Sequence, residues 1–286
     1  MSNKHEPTAP AAEHKTGTEV AIYELGADAG AGMENLRREE YAIPFIKIVN
    51  ADSPVAAPIS AGGLGLKPGT FYNTATGEII DGEAGFDFIP AYRYSNFVEQ
   101  YPYESGKGFI GIRKIDDPEI AKLMKTQDKF KQHGFYLSKR GDDVIQFVET
   151  NYIYAIMLDS AGHSVGWVIF RFKSTQIKKY QGLMTRLMNL KVTGRLASGD
   201  VATVQASMWM HICHAGIMNE KKGVKNFYGW KLDLKTPDPA NCRLLMSDSL
   251  YKEGRLLYDT ARSSTDKLDA AEAAASATDA DEEVSL

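Results

Sequence analysis

Cysteine is almost missing from this 286-residue chain, which carries only Cys213 and Cys242. Two thiols cannot build a disulfide framework, and in a reducing compartment they behave as small buried hydrophobes. Long apolar runs are missing as well. Stretches such as Tyr152 to Leu158 fall far short of the roughly 20 residues that a bilayer-crossing helix needs. The first residues are polar and include Pro, where a signal peptide would carry an apolar stretch. A soluble, cytoplasmic protein is therefore expected. There is no phosphate loop ending in Gly-Lys-Ser/Thr, and no internal repeat. Neither an enzyme nor a cofactor is expected.

A surplus of positive charge is also missing at first sight, since 33 Lys and Arg stand against 37 Asp and Glu. The balance is uneven along the chain. Residues 1–40 carry a net −4 and residues 264–286 a net −6, which leaves +6 on residues 41–263. An acidic tail on a basic body is an asymmetry found in proteins with anionic partners.

What is present between the ends is mostly strand. Three segments are expected: residues 1–32 as a flexible N-terminal segment, 33–263 as the folded domain, and 264–286 as an acidic, disordered tail. Within the domain, Ile43 to Val49 reads as a short strand. Phe71-Tyr72 and Glu78 to Ile80 form a hairpin around Asn73 to Gly77, followed by strands at Phe86 to Tyr94 and Phe109 to Arg113. Glu119 to Gln132 has helical spacing behind Asp117-Pro118. Val144 to Leu158 and Val165 to Lys173 pair across Asp159 to Gly162. Ser174 to Leu190 is an amphipathic helix, with Ile177, Tyr180, Met184 and Leu187 on its apolar stripe. A last strand pair, Val201 to Met218 with Val224 to Leu234, precedes a short helix near Ser249 to Arg262. The expected class is α+β, mainly β, with a barrel or sandwich core and a few helices.

The strands repeatedly mix aromatics with cations, as in Tyr92-Arg93-Tyr94, Trp167 to Lys173 and Lys225 to Lys231. Single-strand binding uses this combination, because aromatic faces stack on unpaired bases while Lys and Arg follow the phosphates. Tyr94, Trp167, Phe172 and Trp230 are the stacking candidates. Lys173, Lys178 and Lys179 are the phosphate-holding candidates, supported by Arg171 and Lys231. Ser174 or Thr175 can cap the helix, whose free N–H groups would hold a phosphate. The plainer alternative puts the aromatics in the core and the cations outside. His211-Ile-Cys213-His214 matches no zinc spacing and reads as structural. Asp116-Asp117 and Asp142-Asp143 read as ordinary turn or helix-start carboxylates, with a two-metal nuclease as the weaker alternative. In the tail, Asp281, Glu282, Glu283 and Leu286 combine acids with a terminal apolar residue, a form suited to docking in a basic, apolar-floored pocket.

Several pieces resemble, in order, a diverse group of phage-encoded proteins described as single-stranded DNA-binding proteins. They are Ile43 to Val49, Asp52-Ser-Pro54, Lys67 to Glu78, Phe88-Ile-Pro90, Phe172 to Lys178 and Asn226 to Lys231. The resemblance implies an oligonucleotide-binding (OB) fold core that coats single strands in the host cytoplasm. It also implies a C-terminal tail that contacts replication or recombination proteins, and a possible homo-oligomer. Two other readings stand beside sequence-independent single-stranded DNA binding. One is a strand-annealing recombinase, the other a phage structural or host-takeover protein that touches no nucleic acid.

Overall fold

The computed structural model describes residues 44–263, apart from 103–104, 128–134, 196–197 and 223–224. Twelve strands and three helices follow in this chain order: β1 Phe45–Ile48, β2 Thr70–Asn73, β3 Ile79–Asp81, β4 Phe86–Gln100, β5 Phe109–Lys114, α1 Pro118–Thr126, β6 Phe135–Arg140, β7 Asp143–Leu158, β8 Ser164–Lys173, α2 Ile177–Asn189, β9 Lys191–Arg195, β10 Val201–Gln205, β11 Cys213–Lys222, β12 Lys225–Leu234 and α3 Ser249–Ser263. The class is α+β and mainly β, as the sequence led us to expect.

Ten strands form one sheet in the order β12-β11-β4-β7-β8-β1-β2-β3, with β5 added to β4 and β6 added to β7. Every pairing is antiparallel except β1 with β8. The sheet curls into a half-barrel that brings its far ends together. Asn50, just after β1, donates to the Tyr228 carbonyl at 3.4 Å and accepts from the Tyr228 N–H at 2.6 Å on β12. Ile217 N–H of β11 donates to the Gly82 carbonyl at 3.1 Å. Phe71 of β2 stacks on Trp230 of β12 with ring centroids 5.0 Å apart.

Alternation sorts each strand by face. The inner face buries Phe71, Phe86, Phe88, Phe170, Phe172 and Trp230, and α2 covers them with Tyr180, Leu183 and Leu187. Packing of α3 buries Ile89, Ala91, Ile156 and Leu158, which alternate with inward Phe88 on β4 and with inward Ala155 and Met157 on β7. Farther along β4 and β7, a third cluster joins Phe97, Phe147 and Tyr136 to α1 through Ile120 and Leu123. Asp117 starts α1 as its N-cap, accepting from the Glu119 N–H at 2.8 Å with Pro118 in the first turn. Beside this cluster the buried Glu99 accepts from Arg113 Nε at 2.5 Å and from Arg140.

Two expectations need correction. The helix expected to run to Gln132 ends at Thr126, where the side chain of Gln127 pairs with both the N–H and the C=O of Leu137 on β6. The strand expected over Val201 to Met218 is two strands. β10 turns back on β9 as a separate two-stranded ribbon, and a short 3-10 turn at Met208–Met210 then leads to β11.

Candidate nucleic-acid interface

The expected site residues divide by face, and the division removes two of them. Phe172 is fully buried, with the rings of Phe170, Tyr180 and Trp230 centred 6.4, 5.5 and 5.7 Å away. Trp230 is 3% exposed and packed on Phe71. Neither can offer a ring face to a base, so both belong to the core. Trp167 is 38% exposed, and its Nε1 donates to Glu253 of α3 at 3.2 Å.

Tyr94 and Arg171 fall in one row, because both stand opposite Tyr152 across neighbouring strands. Lys173, opposite Thr150, lies two residues farther on the same face. Lys178 is exposed on α2, and Lys231 is exposed on β12 opposite Gly216. Lys179 forms an ion pair with Glu220 at 3.0 Å. The expected cations thus lie in separate places: the outer face of β8, the first turn of α2, and β12.

At the start of α2, where a phosphate cradle is expected, one of the expected cations is already paired with a carboxylate. Glu220 reaches this turn through Lys179, and both Glu220 and the Gln176 amide crowd Gly229, where an added Cβ would meet them at 2.4 and 2.9 Å. Gln176 Oε1 accepts from the Trp230 N–H at 2.9 Å. The helix cap is Gln176, and it makes no side-chain cap bond. Ser174, with φ of +50°, instead takes the left-handed turn out of β8.

A better candidate lies along β4. Strand β11 pairs with Phe86–Phe88 and β5 with Asn96–Gln100. Between them, Ile89–Ser95 has β7 as its only strand neighbour among the described residues, and the ladder shifts register between Pro90 and Tyr92. Proline removes a ladder donor, and a bulge bends the strand. Beside this bend an open cleft of about 910 Å³ runs between β4, α2 and the turn at Met208–Met210. Tyr92, Arg93, Tyr94, Tyr180, Trp209 and Tyr258 are among its lining residues, and among the described residues no Asp or Glu lines it. Tyr92 and Trp209 both pack on Tyr258, at 5.9 and 4.9 Å between centroids. Arg93 is exposed at the rim. Tyr180 is 5% exposed, and its hydroxyl is buried without a hydrogen-bond partner, as is Trp209 Nε1. Tyr94 is the one expected residue that lines this cleft. Tyr92-Arg93-Tyr94 stands out in the sequence as an aromatic–cation run, whereas Tyr180 reads there as part of a helix's apolar stripe and Trp209 as part of a strand.

Other titratable groups are structural. Burial works to raise the Asp87 carboxyl, but hydrogen bonds from Lys235 at 2.8 Å and His214 at 2.9 Å hold it below the usual carboxylate range. Burial, with Arg243 nearby, pushes the His211 imidazole down. Burial pushes the Cys213 thiol well up, which leaves it unreactive. Against the expectation that no Gly-x-Ser-x-Gly occurs in the chain, Gly162-His-Ser-Val-Gly166 has a nucleophile-elbow spacing. It sits in the β7–β8 hairpin, with no helix after the serine. Ser164 donates to Glu253 at 2.8 Å, while His163 turns to Asp159. No group of three or more metal-ligating side chains occurs among the described residues. No described helix is long and apolar enough to cross a membrane.

These features define a mainly β protein built on a curled half-barrel, with an aromatic cleft at the bend of one strand. The model of the Pam3 phage gp34-like protein family matches residues 14–267, and the chain belongs to that family of phage proteins. No curated protein and no solved structure matches it.

Proposed function

We propose that this phage protein binds single-stranded DNA without regard to sequence, in replication, recombination or repair, and that the half-barrel serves it as an OB fold. The observation that carries the reading is the cleft beside β4. It combines aromatic side chains and Arg93, with no Asp or Glu among its described lining residues. Unpaired bases stack on aromatic rings with about 1–3 kcal/mol each, and a cation at the rim attracts their phosphates. The net +6 of residues 41–263 supplies the long-range attraction. Tyr94 stays in the proposed site with Tyr92 and Arg93, while Arg171, Lys173, Lys178 and Lys231 add to the general field. The tail, with Asp281, Glu282, Glu283 and Leu286, lies outside the described residues. In this reading it competes with DNA for the basic body and recruits replication or recombination proteins.

The test is a titration of labelled poly-dT at several salt concentrations, with the full chain, with a chain lacking residues 264–286, and with Arg93→Gln. Affinity is expected to fall steeply with salt, to rise on removal of the tail, and to drop about 10- to 100-fold in Arg93→Gln, in line with the roughly 1.5–3 kcal/mol of a charge-assisted contact. Absence of binding by the tail-less chain at low salt would overturn the reading.

A further inference from the structure

The β9–β10 ribbon stands apart from the main sheet. Among the described residues the two strands pair only with each other, over Lys191–Arg195 and Val201–Gln205. A lone two-stranded ribbon is marginal in water unless something packs on it. Residues directly opposite each other share a face, so the register defines two faces. One holds Val192, Gly194, Ala202 and Val204. The other holds Lys191 opposite Gln205, Thr193 opposite Thr203, and Arg195 opposite Val201. The two threonine hydroxyls bond to each other at 2.8 Å across its middle. All six residues of this second face are exposed, and it carries two cations and no acid.

The position of this face matters as much as its charge. Gln205 ends β10 and lines the cleft beside β4, and Lys191 is its cross-strand partner. The cationic face therefore starts at the cleft and leads away from it, with Lys191 at one end and Arg195 at the other. On this face one rung, Thr193 with Thr203, lies between the Lys191 and Arg195 positions, so the two are four residues apart on one strand. At about 3.4 Å per residue that is roughly 14 Å, a span of about two to three nucleotides of an extended strand.

We infer that this ribbon is a backbone-binding arm: Lys191 and Arg195 hold phosphates of the same single strand whose bases enter the cleft, and the threonines and Gln205 offer hydroxyl and amide groups between them. The inference rests on the proposed single-strand binding and assigns it a second contact surface. A cationic face with hydroxyls fits a sugar–phosphate chain. An apolar or basic partner would leave Lys191 and Arg195 without a counter-charge.

The test compares two charge-matched double variants of the full chain in poly-dT titrations across salt. In Lys191→Ala/Arg195→Ala, loss of two phosphate contacts is expected to make the slope of log affinity against log salt shallower by about 1.4, at about 0.7 per contact for single strands. Lys122→Ala/Lys125→Ala, which removes two exposed cations from α1, is expected to keep the parental slope. All four side chains are exposed, so both variants should keep the parental circular dichroism. Equal changes in the two variants, or none in the ribbon variant, would overturn the arm while leaving single-strand binding intact. If neither the parental chain nor the chain lacking residues 264–286 binds at low salt, the single-strand reading falls and the arm falls with it.

Discussion

At the scale of the residue, one strand shows why aromatic content alone misleads. β8 carries Trp167, Phe170 and Phe172 among Arg171 and Lys173, and alternation sends Phe170 and Phe172 inward with Val168 while the others face out. The sequence made the alternation plain but not its phase. Both Trp167 and Phe172 looked able to stack, although they lie five positions apart and so on opposite faces. What fixes the phase is a partner far away: Trp230, on the last strand, closes over Phe170 and Phe172. Replacing Trp230 with Ala removes a ring that touches three phenylalanines. The expected loss is about 3–5 kcal/mol, seen as a lower urea midpoint, with poly-dT affinity of the folded fraction unchanged. A selective loss of affinity at parental stability would return Trp230 to the binding surface.

At the scale of the element, helices and hairpins with clear punctuation were legible, and a break without punctuation was not. Asp117-Pro118 marks the start of α1, and Asn73 to Gly77 marks the β2–β3 hairpin, where Asn73 Oδ1 accepts from the Ala75 N–H at 3.0 Å. Between β10 and β11 there is no Gly or Pro, only Ala206-Ser-Met-Trp-Met-His-Ile212, and the strand still breaks there in a 3-10 turn. The turn is held by long-range contacts that no local pattern records: α3 passes so close that a Cβ on Gly254 would lie 2.7 Å from Trp209 Cβ. Gly254→Ala gains up to about 1 kcal/mol of helix propensity but forces α3 off this turn, at an overpacking cost of about 1–3 kcal/mol. A net loss of stability is expected in urea unfolding, together with a change in Trp209 fluorescence. A stabilised variant would mean that the helix can shift without strain.

At the scale of the whole molecule, the mainly β class and the basic body could be read from composition and charge, while the curl and the cleft could not. Both depend on contacts between segments far apart in the chain. The clearest is the seam where Asn50 exchanges two hydrogen bonds with the backbone of Tyr228, 178 residues away. Asn50→Ala leaves the Tyr228 N–H and C=O without these partners, and a cost of about 1–3 kcal/mol is expected. Amide exchange should then accelerate in β12 more than in β7, which lies in the middle of the sheet. Equal acceleration in both strands would mean that the seam does not open on its own. The seam also has a consequence for how the chain reaches its native state. Neighbouring hairpins such as β7–β8 and β11–β12 can form early, because little loop entropy opposes them. Closure between the first strand and the last must wait for nearly the whole chain. Folding is therefore expected in the slow, millisecond-to-second range of topologies rich in distant contacts, and during synthesis the half-barrel cannot shut until its final strand has left the ribosome.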